Sequence, residues 1–342
     1  MWFIKQNKKS VTYCYLLKQI NIIILILILF IPAKANLSLS ASVLIKDKHS
    51  FFDQSKREIY IKKPFKRIIS LYGGHTENLY ALGLDKEIIG VTRNEVFPKK
   101  ASKKKPFSYH DDLEKFLAAS PDLVLIRPMI DQGYARLIAR LEKFNIKVVS
   151  LQPGTIEEMY TYWKILGMLT DKRDTAAKMI VHFKRAVADF NKLTESIPEK
   201  KRVYFESIHK KMKTFAPNSM AIFALEAAGG INIASDAISL RGTNIAAYGK
   251  ERILSKSAKI DIYLAQTGKM NRSSLHLIKN ETGYSIIKAV KNDQIYFVDE
   301  IIVSRPTFRI LNGIYHIGKI LYKDIYKKNA EQILIKANSY IK

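Results

Sequence analysis

"SLYGGHTENLYALGL", residues 70–84, changes character halfway along. Ile68, Ile69 and Leu71 close an apolar, β-branched run, Gly73 and Gly74 interrupt it, and Thr76, Glu77, Leu79, Tyr80 and Leu82 read as a capped helix. A strand that hands over to a helix is the first half of a βαβ unit. It puts Tyr72 and His75 at the carboxyl end of the strand, where open α/β sheets collect ligands.

Outward from this turn the pattern keeps alternating. Strands are expected at 67–71, 87–92, 123–126 and 147–151, with helices at 76–84, 113–119 and 133–144 between them. Residues 172–195 differ: Ala176, Met179, Ile180, Phe183, Ala186, Val187 and Phe190 recur at helical spacing with no Gly or Pro, the pattern of one long amphipathic helix. Pro198 and "EKKR" (199–202) end it, and a second series follows, with strands at 203–205, 260–265 and 295–298 and helices at 225–228, 253–257 and 309–322. The expected fold is α/β, two Rossmann-like lobes joined by a single long linking helix with a ligand cleft between them. The lobes fall at 64–171 and 198–342, the linking helix at 172–197, and an N-terminal hairpin or extension, with β-like stretches at 43–45 and 58–61, at 36–63.

The 342 residues, 47% of them hydrophobic, suffice for about two domains. The first 35 read differently. Four lysines precede the apolar run Ile22–Ile31, and Pro32 and Ala33-Lys34-Ala35 follow, the order of a secretory signal peptide with cleavage after Ala35. Ten apolar residues are short of the roughly 20 of a membrane span; an uncleaved, tilted anchor is the alternative reading. The single cysteine, Cys14, precedes the apolar run, so a lipoprotein site is not expected, and beyond the leader disulfides, a cysteine nucleophile and Cys-ligated metal are excluded.

The formal charge is +26; the leader holds five lysines and no acid, which leaves 52 basic and 31 acidic residues, +21, on residues 36–342. Such a balance raises nucleic acid as a partner. Export and scattered lysines, densest in "PKKASKKKP" (98–106), favour instead a solvated basic surface, or attraction of an anionic ligand or membrane surface. There is no G-x-G-x-x-G after the first strand, no G-x-x-x-x-G-K-[ST], no G-x-S-x-G and no H-E-x-x-H, and the seven histidines never fall in close metal-ligand pairs.

Polar residues just beyond the strand ends are the candidates for ligand contact: Tyr72 and His75, Arg93, Arg127 and Met129, and in the second lobe Glu206 and His209. Arg241, Tyr248 and Arg305 stand in loops able to face the same side. "HKKMKTF" (209–215) also invites a haem or soft-metal reading through His209 and Met212, although such residues more often pack in a core. A faint internal repeat pairs "LEKFLAASPDLVLI" (113–126) with "KERILSKSAKIDIYLA" (250–265), aligning Glu114 with Glu251.

Four segments in order resemble the periplasmic binding proteins of ABC importers for iron–siderophores, cobalamin and haem. "KKPFKRIISLYGG" (62–74) is similar to that family's opening P-x-K/R-R-I-V-S-L strand, and "LYALGLDKEIIGVT" (79–92) to its A-L-G-x-x-x-x-I-V-G-V. "LEKFLAASPDLVLI" is similar to its L-E-x-I-x-A-L-x-P-D-L-V-L, and "SRPTFRILNGIYHIGKIL" (304–321) to its closing S-x-P-x-x-R-x-x-x-G helix. The resemblance spans roughly 43–325. It implies capture of an iron complex, with cobalamin, haem or another metal chelate as the alternative, and delivery to an inner-membrane permease with its cytoplasmic ATPase. It also implies a monomer with no enzymatic activity, no resident cofactor and no nucleic-acid partner.

On the same resemblance, Glu114 and Glu251 take the place of the surface glutamates, one on each lobe, that contact permease arginines. Tyr72, His75 or Tyr248 would complete a ferric ion's coordination or stack on its chelator, with Tyr72 and His75 as the candidate metal ligands. Arginines 93, 127, 241 and 305 would pair with carboxylate or catecholate oxygens. Tyr109 lies near, but not at, the position of the tyrosine used by haem binders. A two-lobed α/β enzyme is the reading from a different class.

Overall fold

The computed structural model describes residues 43–239 and 243–340; the signal-peptide reading, Cys14 and Arg241 lie outside them. Among the described residues no helix is long and apolar enough to cross a membrane.

The N-terminal extension is a small antiparallel sheet, β1 (Leu44–Ile45), β2 (Ser50–Phe52) and β3 (Glu58–Tyr60), with one strand more than the expected hairpin. The loop after β2 holds it to the first lobe. Buried Asp53 accepts the Ser150 N–H at 3.0 Å and pairs with Arg57 at 2.8 Å, and Arg57 reaches Asp131 at 2.7 Å.

The first lobe runs β4 (Ile68–Ser70), α1 (Gly73–Ala81), β5 (Ile88–Thr92), β6 (Lys105–Phe107), α2 (Leu113–Ala119), β7 (Leu123–Ile126), α3 (Pro128–Gly133), α4 (Ala135–Lys143) and β8 (Lys147–Ser150). Its five strands are all parallel, in the order β6-β5-β4-β7-β8. Every residue of β4 and β7 is buried, which is why these strands read as unbroken apolar runs rather than as alternation.

Two helices lead away from this sheet. The sequence ran the first lobe straight into the linking helix, but α5 (Ile156–Thr170) stands between them, its N-terminus capped by the Thr155 hydroxyl, which accepts the Glu158 N–H. The linking helix itself, α6 (Arg173–Glu195), falls where its periodicity places it, and its 23 residues span about 35 Å. Trp163 of α5 is fully buried, edge-on to Phe183 of α6 at 5.3 Å and stacked on Phe308 at 6.3 Å. One continuous apolar cluster thus contains residues of both lobes and both helices.

The second lobe comprises β9 (Arg202–Ile208), β10 (Lys213–Phe215), α7 (Met220–Ala227), β11 (Ile231–Asn232), β12 (Ile238–Ser239), β13 (Ile245–Ala247), α8 (Lys250–Ser255), β14 (Ile262–Thr267), α9 (Leu275–Lys279), α10 (Lys288–Lys291), β15 (Ile295–Asp299), α11 (Glu300–Val303), α12 (Ile310–Leu321) and α13 (Lys323–Asn338). Its sheet is mixed. β9, β14 and β15 are parallel, β11 joins the start of β9 in parallel, and β10, β13 and β12 continue antiparallel from the far end of β9. The repeat is real in arrangement: α2 leads to β7 as α8 leads to β14, with Glu114 and Glu251 exposed in the first turns of the two helices.

Candidate functional site

The segments leaving β4 and β5 meet the segment that follows β15 and α11. Gly73 shows how close the approach is, since a Cβ there would lie 2.4 Å from Arg305 Nη1 and 2.8 Å from Glu95 Oε2. A Cβ on Gly74 would meet the Tyr72 ring at 2.4 Å. Both glycines begin α1 rather than breaking the chain before it, and their bareness lets the second lobe and Tyr72 pack against the backbone.

Two carboxylates and two guanidiniums hold this contact. The Glu77 carboxylate, 2% exposed at its side chain, accepts hydrogen bonds from Arg305 Nη1 at 2.7 Å and from Arg309 Nε at 2.9 Å and Nη2 at 3.2 Å. Asn78 Nδ2 donates to the Pro306 carbonyl at 2.9 Å. Glu95, also buried, stands 3.5 Å from Arg305, and burial pushes its carboxyl up from the usual carboxylate range. The Arg309 guanidinium lies 3.9 Å over the Phe97 ring, a cation–π contact between lobes.

Beside this knot the residues face outward. The Arg127 guanidinium lies 4.6 Å over the half-buried Tyr72 ring, and buried Arg127 Nε has no hydrogen-bond partner. No carboxylate pairs with Arg127 among the described residues, and no protein group hydrogen-bonds the Tyr72 hydroxyl, whose titration burial raises. Val96, Phe97 and Met129 add exposed apolar surface, Met129 at 53%. An unpaired cation, a phenol and apolar side chains can take up an anionic group carried on a partly apolar ligand.

His75 is not among them. It is fully buried, with Nδ1 2.7 Å from the Tyr162 hydroxyl and Nε2 3.0 Å from the Ile126 carbonyl. A carbonyl only accepts, so Nε2 carries the proton and Nδ1 accepts from Tyr162. Burial, with a lesser contribution from Arg127, pushes its pKa down to about 3. With both nitrogens engaged, His75 has none to offer a metal and pins α1 to β7 and α5. A hollow of about 180 Å³ is lined by Tyr162 together with Val43, Gln54 and Gln152.

The second-lobe candidates likewise turn inward. Glu206 is buried, and although burial disfavours its charge, hydrogen bonds from His209, Tyr263 and Asn271 outweigh that and lower its pKa. The His209 imidazole is raised in turn, chiefly by its 2.7 Å hydrogen bond to Glu206. Tyr248 is 5% exposed and donates to Asp236 at 3.0 Å. The sulfur of Met212 accepts from the Tyr284 hydroxyl at 3.1 Å, so the haem or soft-metal reading of this segment loses both its groups to internal partners. Arg93 is exposed but tied to Asp111 at 2.8 Å. Among the described residues no cluster of three or more His, Cys, Asp or Glu side chains is arranged to hold a metal.

Sequence reasoning therefore brought Tyr72, Arg127, Met129 and Arg305 to one region and missed Glu77, Glu95, Phe97 and Arg309, which complete it. The signal for Glu77 was an acidic residue in the first turns of a helix directly after the strand end; its partners, 228 and 232 residues away, gave none.

A family model described as "Periplasmic binding protein" matches residues 68–302. Among curated proteins, an uncharacterized ABC transporter substrate-binding lipoprotein of Bacillus subtilis is 26% identical over 81% of this chain and 86% of its own length. A vitamin B12-binding protein of Vibrio campbellii is 26% identical over 73% and 87%. Among solved structures, a possible iron-binding (periplasmic solute-binding) protein of Staphylococcus epidermidis aligns with TM-score 0.67 and 29% identity over 76% of this chain and all of its own. The periplasmic vitamin B12-binding protein of Vibrio cholerae, at 23% identity and TM-score 0.58, shares the fold.

Proposed function

We propose, from the premise that this chain belongs to the periplasmic binding protein family, that it is the solute-binding component of an ABC importer and captures a metal chelate, an iron complex first and a corrinoid second. The family binds and hands over solutes, so no bond chemistry is asked of the site. The observation that carries the chelate reading is Arg127, an unpaired guanidinium stacked on Tyr72 between the lobes and beside exposed Val96, Phe97 and Met129. Such a wall suits an organic ligand with anionic oxygens and offers a bare ion too few donors. The corrinoid reading draws its support from the relatives named for vitamin B12.

Isothermal titration of the exported protein with ferric citrate, a ferric tricatecholate, haem, cyanocobalamin and free ferric ion tests this. Saturable binding of a chelate, with none of the free ion, is expected; a folded protein that ignores the whole panel, or that binds the free ion as tightly as any chelate, removes the reading. Where the bound chelate is anionic, Arg127→Gln is expected to weaken it about tenfold, since a hydrogen bond to a charged group is worth roughly 1.5–3 kcal/mol.

The proposed partner is a permease, with its ATPase, that grips Glu114 and Glu251. Glu114 is exposed and only loosely paired with Arg140 at 3.4 Å, and Glu251 is likewise exposed, so both are available to basic residues of a partner. Replacing both with alanine is expected to leave chelate affinity unchanged and to reduce uptake in cells that depend on this protein. Undiminished uptake by the double variant would remove the docking assignment. The working form we propose is a monomer held outside the cytoplasm.

A further inference from the structure

Among the described residues Glu77 is the one carboxylate that two guanidiniums of the other lobe share, and we infer that it is the positioning residue of the cleft: it fixes the distance between the lobes before any ligand arrives. Around it, four contacts cross from lobe to lobe. Arg305 and Arg309 bond to Glu77, Arg309 lies over Phe97, and Asn78 donates to the Pro306 carbonyl. The partners are rigidly set. Glu77 and Asn78 lie on α1, whose start His75 pins to β7 and α5; Arg309 immediately precedes α12, and Phe308 between the two arginines is buried against Trp163 and Phe183.

The pairing is of the kind that does not open readily. Glu77 is 2% exposed at its side chain and the two arginines 20%, so water screens the attraction little, and separating the lobes would break three charge-assisted hydrogen bonds at once. Among the described residues Arg305 pairs with one other carboxylate, Glu95 at 3.5 Å, and that too belongs to the first lobe. Whichever carboxylate it favours, Arg305 bridges. Its guanidinium is thereby committed to the lobe contact, which leaves Arg127 to meet the ligand's charge.

A spin-label distance between the lobes tests this directly. In residues 36–342 of the protein, which carry no cysteine of their own, nitroxides on Lys143→Cys in α4 and Lys291→Cys in α10 sit on exposed positions of opposite lobes. The parent is expected to give one narrow distance without ligand, and Glu77→Gln a broader distribution displaced to longer distance, because a neutral amide cannot hold two guanidiniums. Superimposable distributions would overturn the inference. If Glu77→Gln does not fold, Arg309→Lys serves: it keeps the charge but loses the two-bond fork, and an unchanged distribution there overturns the inference equally. The consequence for binding rests on the function proposed above and is read separately. Where the parent distinguishes a ferric tricatecholate from cyanocobalamin by titration, Glu77→Gln is expected to narrow that difference. A parent that binds neither speaks against the proposed function, and the distance measurement still decides the role of Glu77.

Discussion

Replacing His75 with alanine is expected to destabilise the fold by roughly 3–5 kcal/mol, from the buried Tyr162 O–H left without its acceptor, the loss of one of the two hydrogen bonds to the Ile126 carbonyl, which keeps the Leu151 N–H, and a cavity where the ring stood. This departs from the expectation drawn from the strand-to-helix position alone, which made His75 a ligand contact. Denaturant unfolding followed by circular dichroism reads the cost, and a loss under about 1 kcal/mol would show that the turn does not depend on the imidazole. The pH dependence has a definite sign. His75 titrates near 3 in the folded chain and near its ordinary 6.5 when unfolded, so below 6.5 the unfolded chain takes up the proton first. The stabilising contribution is whole above pH 6.5 and drains away as the pH falls towards 3, at up to about 1.4 kcal/mol per unit. His75→Gln, which has no titrating group there, is expected to lose that part of the slope; a variant whose stability falls with pH as steeply as the parent's would place the titration elsewhere.

The second large effect is expected at Trp163. It is fully buried against Phe183 and Phe308, so one side chain serves α5, the linking helix and the second lobe's return to the contact. Truncation to alanine is expected to cost about 3–5 kcal/mol, as for buried aromatic residues generally, and Trp163→Phe distinctly less. Because the ring lies in the cluster common to both lobes, the loss should appear as one cooperative shift of the urea midpoint. Two separate transitions, with only the first lobe affected, would show that the lobes unfold independently and that the shared cluster does not couple them.

How much of this was legible depended on how local the determinants were. In the first lobe, Ile68–Ser70, Ile88–Thr92, Leu123–Ile126 and Lys147–Ser150 are strands buried in a parallel sheet, and their unbroken apolar runs stand out in the sequence. The linking helix announced itself by periodicity, whereas α5, apolar on nearly every side from Met159 to Thr170, did not. The antiparallel strands β10, β12 and β13, two or three residues each, carry too little pattern to read. At the site, the strand ends located Tyr72 and Arg127 because those residues stand within two positions of the last ladder residues, Ser70 and Ile126. One turn further on, direction is lost: His75 and Glu77 both point into the protein, one to its own lobe and one to the other. Glu206, His209 and Tyr248 failed for the same reason, since their hydrogen-bond partners are fixed by the packing of the second lobe and leave no trace at sequence spacing.

The chain's two tryptophans are Trp2, in the leader-like segment, and Trp163. In residues 36–342 all indole emission comes from a single buried ring wedged where the two lobes and the linking helix come together. The protein thus carries an optical gauge aimed at its own hinge. If adding a chelate changes that emission, the gauge has registered a shift in the packing between lobes; a steady signal alongside calorimetric binding records a receptor that fills without bending.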